Sequence, residues 1–257
     1  MQLGLLSGQA PELKWLDDRR LVRPNQLEAM SRWVAEAPVI AMDYEADGLD
    51  TFRGAKPFSV QFFAPDKGAK FIDFRLLGQN GIDAVTEGLS RRTGVTVVHN
   101  GTMEVGMSLR TFGLQNIGKL WDNMAASYAL NEQRAATPFG GGHGQKSLAK
   151  TVLGRDPSFA IAVRQWLVSN IGTADTGYQE LPQELIVPYG CEDVQDAYEL
   201  YEVFSKQCAG TRLEELVFTD SELCWALEDM KYTGLRLDIP AAEALAKRLT
   251  EEMGGLY

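Results

Sequence analysis

Cysteine, histidine and positive charge are all scarce in this chain of 257 residues. Its three cysteines, Cys191, Cys208 and Cys224, form no CxxC pair. An odd total cannot be fully paired internally, which argues against a disulfide framework or a zinc knuckle, and a reducing compartment is expected. Against 35 acidic residues stand only 25 lysines and arginines, a net charge of −10. Tracking a long duplex by neutralising its phosphates is therefore not expected of this chain alone; metal ions or a basic partner would have to supply the charge. No apolar run approaches the length of a membrane span, and the start MQLGLLSGQAPELKWLDD lacks the basic leader of a signal peptide, so the reading is cytoplasmic, with no membrane partner. Phosphate-loop signatures are missing too. The glycine-rich stretch ATPFGGGHGQK, residues 136–146, fits neither GxxxxGK[ST] nor GxGxxG, and reads as a flexible loop with His143 facing solvent.

What is present is a globular composition, 45% hydrophobic and 23% charged, on a length that allows one large core, or one core and a piece of another. NQLEAMSRWVAEA (25–37) sets Leu27, Met30 and Val34 on one helical stripe. PVIAMDYE is an apolar run ending in acids, the pattern of a buried strand. KPFSVQFFA (56–64) and AKFIDF (69–74), separated by turn residues, predict a hairpin beside it. A helix over 81–92, a strand in VTVVHN, a helix in GTMEVGMSLRTFG closed by Gly113, a strand in KLWDN and a helix in MAASYALNE follow. From 147 to 205 the pattern is helical, with Pro188 suited to a first turn. Another helix starts near 214, and a last one, with Leu245 and Leu249 on one stripe, runs towards the end. A hairpin followed by alternating strands and helices makes a mixed α/β sheet.

Three segments carry chemistry. With 35 acids, acid-x-acid pairs arise by chance about five times, so Asp43-Tyr-Glu45 matters for its place at a strand end. There alternate residues face the same way, and two like charges point together unless a cation joins them. His99-Asn100-Gly-Thr-Met-Glu104 runs from a strand into a helix. Tyr189-Gly-Cys-Glu-Asp193 places a phenol and a carboxylate four apart on one helix face.

In this order and spacing the segments resemble the three motifs of the DEDD exonucleases, particularly the proofreading domain of family A DNA polymerases. Asp43-Tyr-Glu45-Ala-Asp-Gly-Leu49 is similar to D-x-E-x-x-x-L; Asn100 to Glu104 has the layout N-x-x-x-D with Glu as its acid; Tyr189 to Asp193 matches Y-x-x-x-D, the mark of the tyrosine subgroup. Trp121-Asp122 and Gln145-Lys-Ser-Leu148 resemble the linking segments, so the likeness spans roughly 25–205. The resemblance implies an α/β ribonuclease-H-like fold, a mixed five-stranded sheet flanked by helices, with a C-terminal helical extension. It also implies two divalent cations, Mg²⁺ or Mn²⁺, bound by Asp43, Glu45, Glu104 and Asp193. Tyr189 would orient the attacking water, Asn100 would hold the strand, and Leu49 would pack on the terminal base.

The expected organisation is an N-terminal extension (1–24), an exonuclease domain (25–207) and an incomplete start of polymerase helices (208–257), where Glu228 to Asp238 resembles the opening stretch of the polymerase part. The implied activity is proofreading of the 3′ end of single-stranded DNA, with a polymerase domain in cis or in trans, in the host cytoplasm if the source is viral. Two alternatives stand: a ribonuclease D-like RNA trimming enzyme, and a catalytically impaired DNA-binding scaffold, the latter because Glu104 adds a methylene where the family has Asp. Other groups read as structural: His99 as a packed histidine, Cys191 as a helix-packing residue, the tryptophans as core, and Arg91, Arg92, Arg110 and Arg134 as solvated helix faces or phosphate contacts in equal measure.

Overall fold

The computed structural model describes residues 18–138, 140–174 and 176–254; most of the expected N-terminal extension, residues 1–17, lies outside them. In chain order the elements are α1 (Leu27–Glu36), β1 (Val39–Ala46), β2 (Pro57–Ala64), β3 (Gly68–Asp73), α2 (Phe74–Ser90), β4 (Val95–Val98), α3 (Thr102–Phe112), β5 (Lys119–Asp122) and α4 (Asn123–Leu130). The short α5 (Gln145–Leu148) widens into a π turn at Ala149–Leu153 and is followed by α6 (Ser158–Asn170), α7 (Gln183–Cys208), α8 (Arg212–Thr233) and α9 (Ile239–Gly254).

The five strands form one mixed sheet in the order β3-β2-β1-β4-β5. β1 and β2 are antiparallel, with Asp43 opposite Gln61, whereas β4 runs parallel to β1 with Val97 beside Ala41. Because side chains alternate along β1, Ile40, Met42 and Tyr44 enter the core under α1, α2 and α3, while Ala41 joins Val97 and Trp121 beneath α7 and α8. Asp43 and Glu45 continue the second row, so the acids emerge beside α7. Before α1, Val22 N–H donates to the Phe71 carbonyl (3.0 Å) and Leu21 is buried, which ties residues 18–24 to the outer edge of β3.

Several sequence expectations change in three dimensions. The helix expected at 81–92 begins already at Phe74, broken at Gly78, whose φ of 57° suits glycine. Pro188 is not in a first turn but inside α7; lacking an N–H, it leaves the Glu184 carbonyl without its helical donor. His143 does not face solvent. It is buried, stacks on Tyr128 at 3.5 Å and shares a 2.9 Å hydrogen bond with Ser127 Oγ. The loop around it is pinned, because Gly142 lies so close to the Arg134 carbonyl that a Cβ would collide with it. Arg92 is buried rather than on a solvated face.

Glycine also sets the seating of α7. A Cβ on Gly190 would lie 2.9 Å from Gln61 Cδ and 3.2 Å from Phe71 Cε2, so only glycine lets the helix that carries Tyr189 and Asp193 come this near β2. On the other side α8 packs on β5, α3 and α4 and buries Val217, Ser221, Cys224 and Glu228. α9 buries none of its residues.

Candidate metal and nucleic-acid site

β1 delivers Asp43 and Glu45, and α7 brings Asp193 across to them: oxygen atoms of the three carboxylates lie within 4.8 Å of one another. Glu104 joins from the first turn of α3, where its carboxyl and that of Asp43 act on one another electrostatically. Two devices aim α3. Tyr44 on β1 meets Ser108 Oγ at 3.3 Å and stacks on Phe112 at 5.7 Å. Asp122, at the end of β5, accepts from the backbone N–H groups of Asn100 and Gly101, both at 2.9 Å. That cap holds Asn100 at a φ of 59°, a left-handed conformation asparagine tolerates better than most residues.

Tyr189 lies beside Glu45 and Asp43, with its ring centroid 6.1 Å from that of Tyr178. Burial first, and then the neighbouring acids, hold its phenol well above the ordinary value, so the hydroxyl keeps its proton and can donate it in a hydrogen bond. Leu49 and Asn100 stand at the periphery: Leu49 is 76% exposed and Asn100 is exposed. The Leu49 loop is docked on α8, where Thr51 Oγ1 donates to the buried Glu228 at 2.8 Å.

Sequence reasoning missed two contributors. Lys146, noticed only as part of a linking segment, reaches Asp193 Oδ1 with its ammonium and lies 4.8 Å over the Tyr189 ring. Its neighbour Gln145 donates to the Asp193 backbone carbonyl at 2.7 Å. A single lysine in a helical stretch has no pattern to betray it; only the approach of α5 to α7 does. Asp122 was seen, but not its capping role.

The electrostatics are those of a site built for cations. Burial pushes the carboxyls of Asp43, Glu45 and Glu104 upward, and Asp43 adds to the rise at both glutamates. Lys146 offsets part of this charge. Glu104 Oε2 is buried with no hydrogen-bond partner. An all-oxygen donor set of clustered carboxylates with one acceptor left over fits a hard divalent cation such as Mg²⁺ or Mn²⁺. His99, by contrast, is kept neutral, burial pulling its pKa down to about 4.

Glu104 makes a sharp prediction. Its longer arm carries the carboxyl towards Asp43, on whose carboxyl it acts, whereas an aspartate would withdraw by about an ångström, a distance that can alter rates on the order of 10²-fold. Glu104→Asp is expected to preserve or raise metal-dependent digestion, because the carboxyl pair opens without losing a ligand. Single-turnover rates of the two proteins at saturating Mn²⁺ test this; a hundredfold loss in the variant would show that the glutamate reach is required.

Comparison with solved structures places the fold. NrnC of Brucella melitensis with bound Mg²⁺ is 16% identical with a TM-score of 0.55, over 79% of this chain and 90% of that one. The catalytic core of RRP6 from Trypanosoma brucei is 16% identical with a TM-score of 0.58, over 86% and 55%. The POL domain of Pol1 from M. smegmatis, in complex with DNA primer-template and dNTP, is 16% identical with a TM-score of 0.62, over 90% and 35%. The chain thus spans most of NrnC but about half of the RRP6 core and a third of Pol1. The sheet and its flanking helices are those of the ribonuclease-H-like exonucleases. Comparison with curated sequences found no significant match. Residues 21–209 match the family model described as 3′-5′ exonuclease, and with its sheet, its motif order and that match, the chain belongs to the 3′-5′ exonuclease family.

Proposed function

We propose that this chain hydrolyses the 3′-terminal phosphodiester of single-stranded DNA, as the proofreading part of a family A DNA polymerase. The observation that carries this reading is the convergence of Asp43, Glu45 and Asp193 within 4.8 Å, with the Glu104 carboxyl near enough to Asp43 to be raised by it. Asp43, Glu45 and Asp193, together with Glu104, would hold the divalent cations. When bound, the metals supply acidification of a water and charge for the departing 3′ oxygen. The chain does the positioning: Tyr189, protonated, orients the water by hydrogen bonding; Asn100 and Leu49 at the rim hold the strand and its terminal base; Lys146 balances the carboxylates and lies where it can meet a phosphate. A −10 chain suits such a site, because a few nucleotides held through metals need no broad basic surface. Duplex affinity would come from a polymerase domain in cis or in trans.

A second reading, RNA trimming of the ribonuclease D type, draws support from the likeness to the RRP6 core and to Trypanosoma brucei RNase D in complex with RNA U12. The polymerase-like stretch from Glu228 to Asp238 favours DNA. Digestion of matched single-stranded DNA and RNA oligonucleotides in Mn²⁺ separates them. Faster shortening of DNA from the 3′ end is expected, preference for RNA supports the second reading, and binding of the 3′ end without cleavage would leave only a scaffold.

A further inference from the structure

On the outer side of α7 lies a cleft of about 830 Å³ that the proposed chemistry does not use. Its walls are the turn between β2 and β3, the segment before α1, and the approach to α6; its floor is α7 itself, through Pro188, Cys191 and Glu192. Five cationic side chains line it: Arg19, Arg20, Lys67, Lys70 and Arg155. In a chain of net charge −10 this concentration needs an explanation.

Internal pairing accounts for part of it. Arg20 forms an ion pair with Asp18 at 2.6 Å, and Arg155 pairs with Asp196 and with Glu199, the latter at 2.5 Å. Arg19, Lys67 and Lys70 form no ion pair among the described residues; the Lys70 ammonium reaches only the Arg19 carbonyl, at 3.4 Å. Arg19 lies near enough to Asp18 to help hold its carboxyl down, so among the described residues Lys67 and Lys70 are the cations of this cleft with no carboxylate partner, and Glu192 is the carboxylate lining it. The three stand on two walls of the cleft, Arg19 before α1 and Lys67 and Lys70 on the β2–β3 hairpin, a placement that can meet more than one phosphate of a strand. Phe63 and Phe159 line the same space and offer apolar surface on which bases can stack.

The cleft and the acidic site are neighbours on one helix. Pro188, Cys191 and Glu192 interleave with Tyr189 and Asp193 in sequence, so the two sites occupy adjoining faces of α7. We propose that this cleft binds the sugar-phosphate backbone of a single strand on the 5′ side of the end held by the acids. The inference rests on the exonuclease reading for its direction, and names a second contact region that distinguishes long substrates from short ones.

The test uses the full chain and the paired substitution Lys67→Gln with Lys70→Gln, both in the hairpin turn region and away from the core. Fluorescence anisotropy in EDTA would follow a short and a long oligothymidylate across a salt series. For the long strand, an affinity loss of about tenfold and a salt slope shallower by about 1.4 are expected, from roughly 0.7 per lost phosphate contact on single strands. Digestion of the short oligomer in Mn²⁺ should keep the wild-type kcat/KM. An unchanged salt slope, or equal losses on short and long strands, would overturn the proposal, as would poly-glutamate competing as well as the oligonucleotide. The two readings fail separately. A wild type that binds long strands with this salt dependence but digests nothing refutes the exonuclease and leaves the cleft; digestion with unaffected variants does the reverse.

Discussion

Asp43→Ala is expected to abolish metal-dependent digestion, a loss on the order of 10⁴-fold or more, as for removal of one member of a catalytic unit. Asp43 is the carboxylate to which the others are referred: it lies with Glu45 and Asp193 within 4.8 Å, and its carboxyl and that of Glu104 act on one another. The same substitution should change stability in the opposite sense. Burial raises Asp43, Glu45 and Glu104, so the metal-free fold keeps protons that the unfolded chain has already released. Groups raised in this way contribute stability in full below the ordinary carboxylate range, and that contribution is lost as pH climbs through the raised folded values. Metal-free wild type should therefore melt at a lower temperature at neutral pH than at about pH 5, and divalent metal should restore the difference. Asp43→Ala removes the charge that adds to both glutamates, so its melting temperature should depend less on pH. Digestion assays and thermal melts in EDTA across pH check both halves. Retained digestion would end the assignment of the site; an unaltered pH dependence would show that the acids are not coupled as their contacts imply.

The second large effect concerns stability alone. Arg92→Met is expected to cost about 3 kcal/mol or more, several hydrogen bonds from a charged donor being lost and buried carbonyls left unmet. The guanidinium donates to the Val34 carbonyl at 2.6 Å, the Ala37 carbonyl at 2.9 Å and Thr96 Oγ1 at 2.7 Å, and also to the Val95 carbonyl. Val34 and Ala37 sit at the carboxyl end of α1, where carbonyls lack helical donors and the helix dipole favours a cation. Burial lowers the pKa of Arg92 to about 10, which leaves it charged at neutral pH. Arg91, one residue earlier, forms an exposed i,i+4 pair with Glu87 at 3.0 Å, worth at most about 1 kcal/mol. Urea unfolding of Arg92→Met and Arg91→Met should thus separate widely, with a melting-temperature drop of roughly 6–12 °C for the first. Equal midpoints would mean that the carbonyls at the end of α1 find other donors.

This pair of arginines shows where reading the sequence stops. Both stand in the same dipeptide at the end of a helix, and nothing local distinguishes the one that faces solvent from the one that caps α1, because the distinction depends on how α1 packs against α2. Pro188 taught the same lesson. Its place relative to the start of α7 depends on residues 183–187, whose helical state is stabilised by burial of Ile186 and Val187 in the tertiary core. His143 looked solvent-bound in a glycine loop until Tyr128 and Ser127 enclosed it.

What the sequence by itself determined is the set of elements and the acids they carry. A run such as VIAMDYE has the period of a strand, and its acids at the end must face together; YGCED has the spacing of a helix face. These are short-range regularities, fixed by backbone geometry. The tertiary structure decided what is long-range: that Glu104 and Asp43 act on one another, that Lys146 joins Asp193, that Asp122 holds the turn at Asn100, and that five cationic side chains line the cleft beside α7. Charges distant in sequence have no periodicity to reveal them, and their partners are chosen by the seating of helices on the sheet, down to the missing Cβ at Gly190.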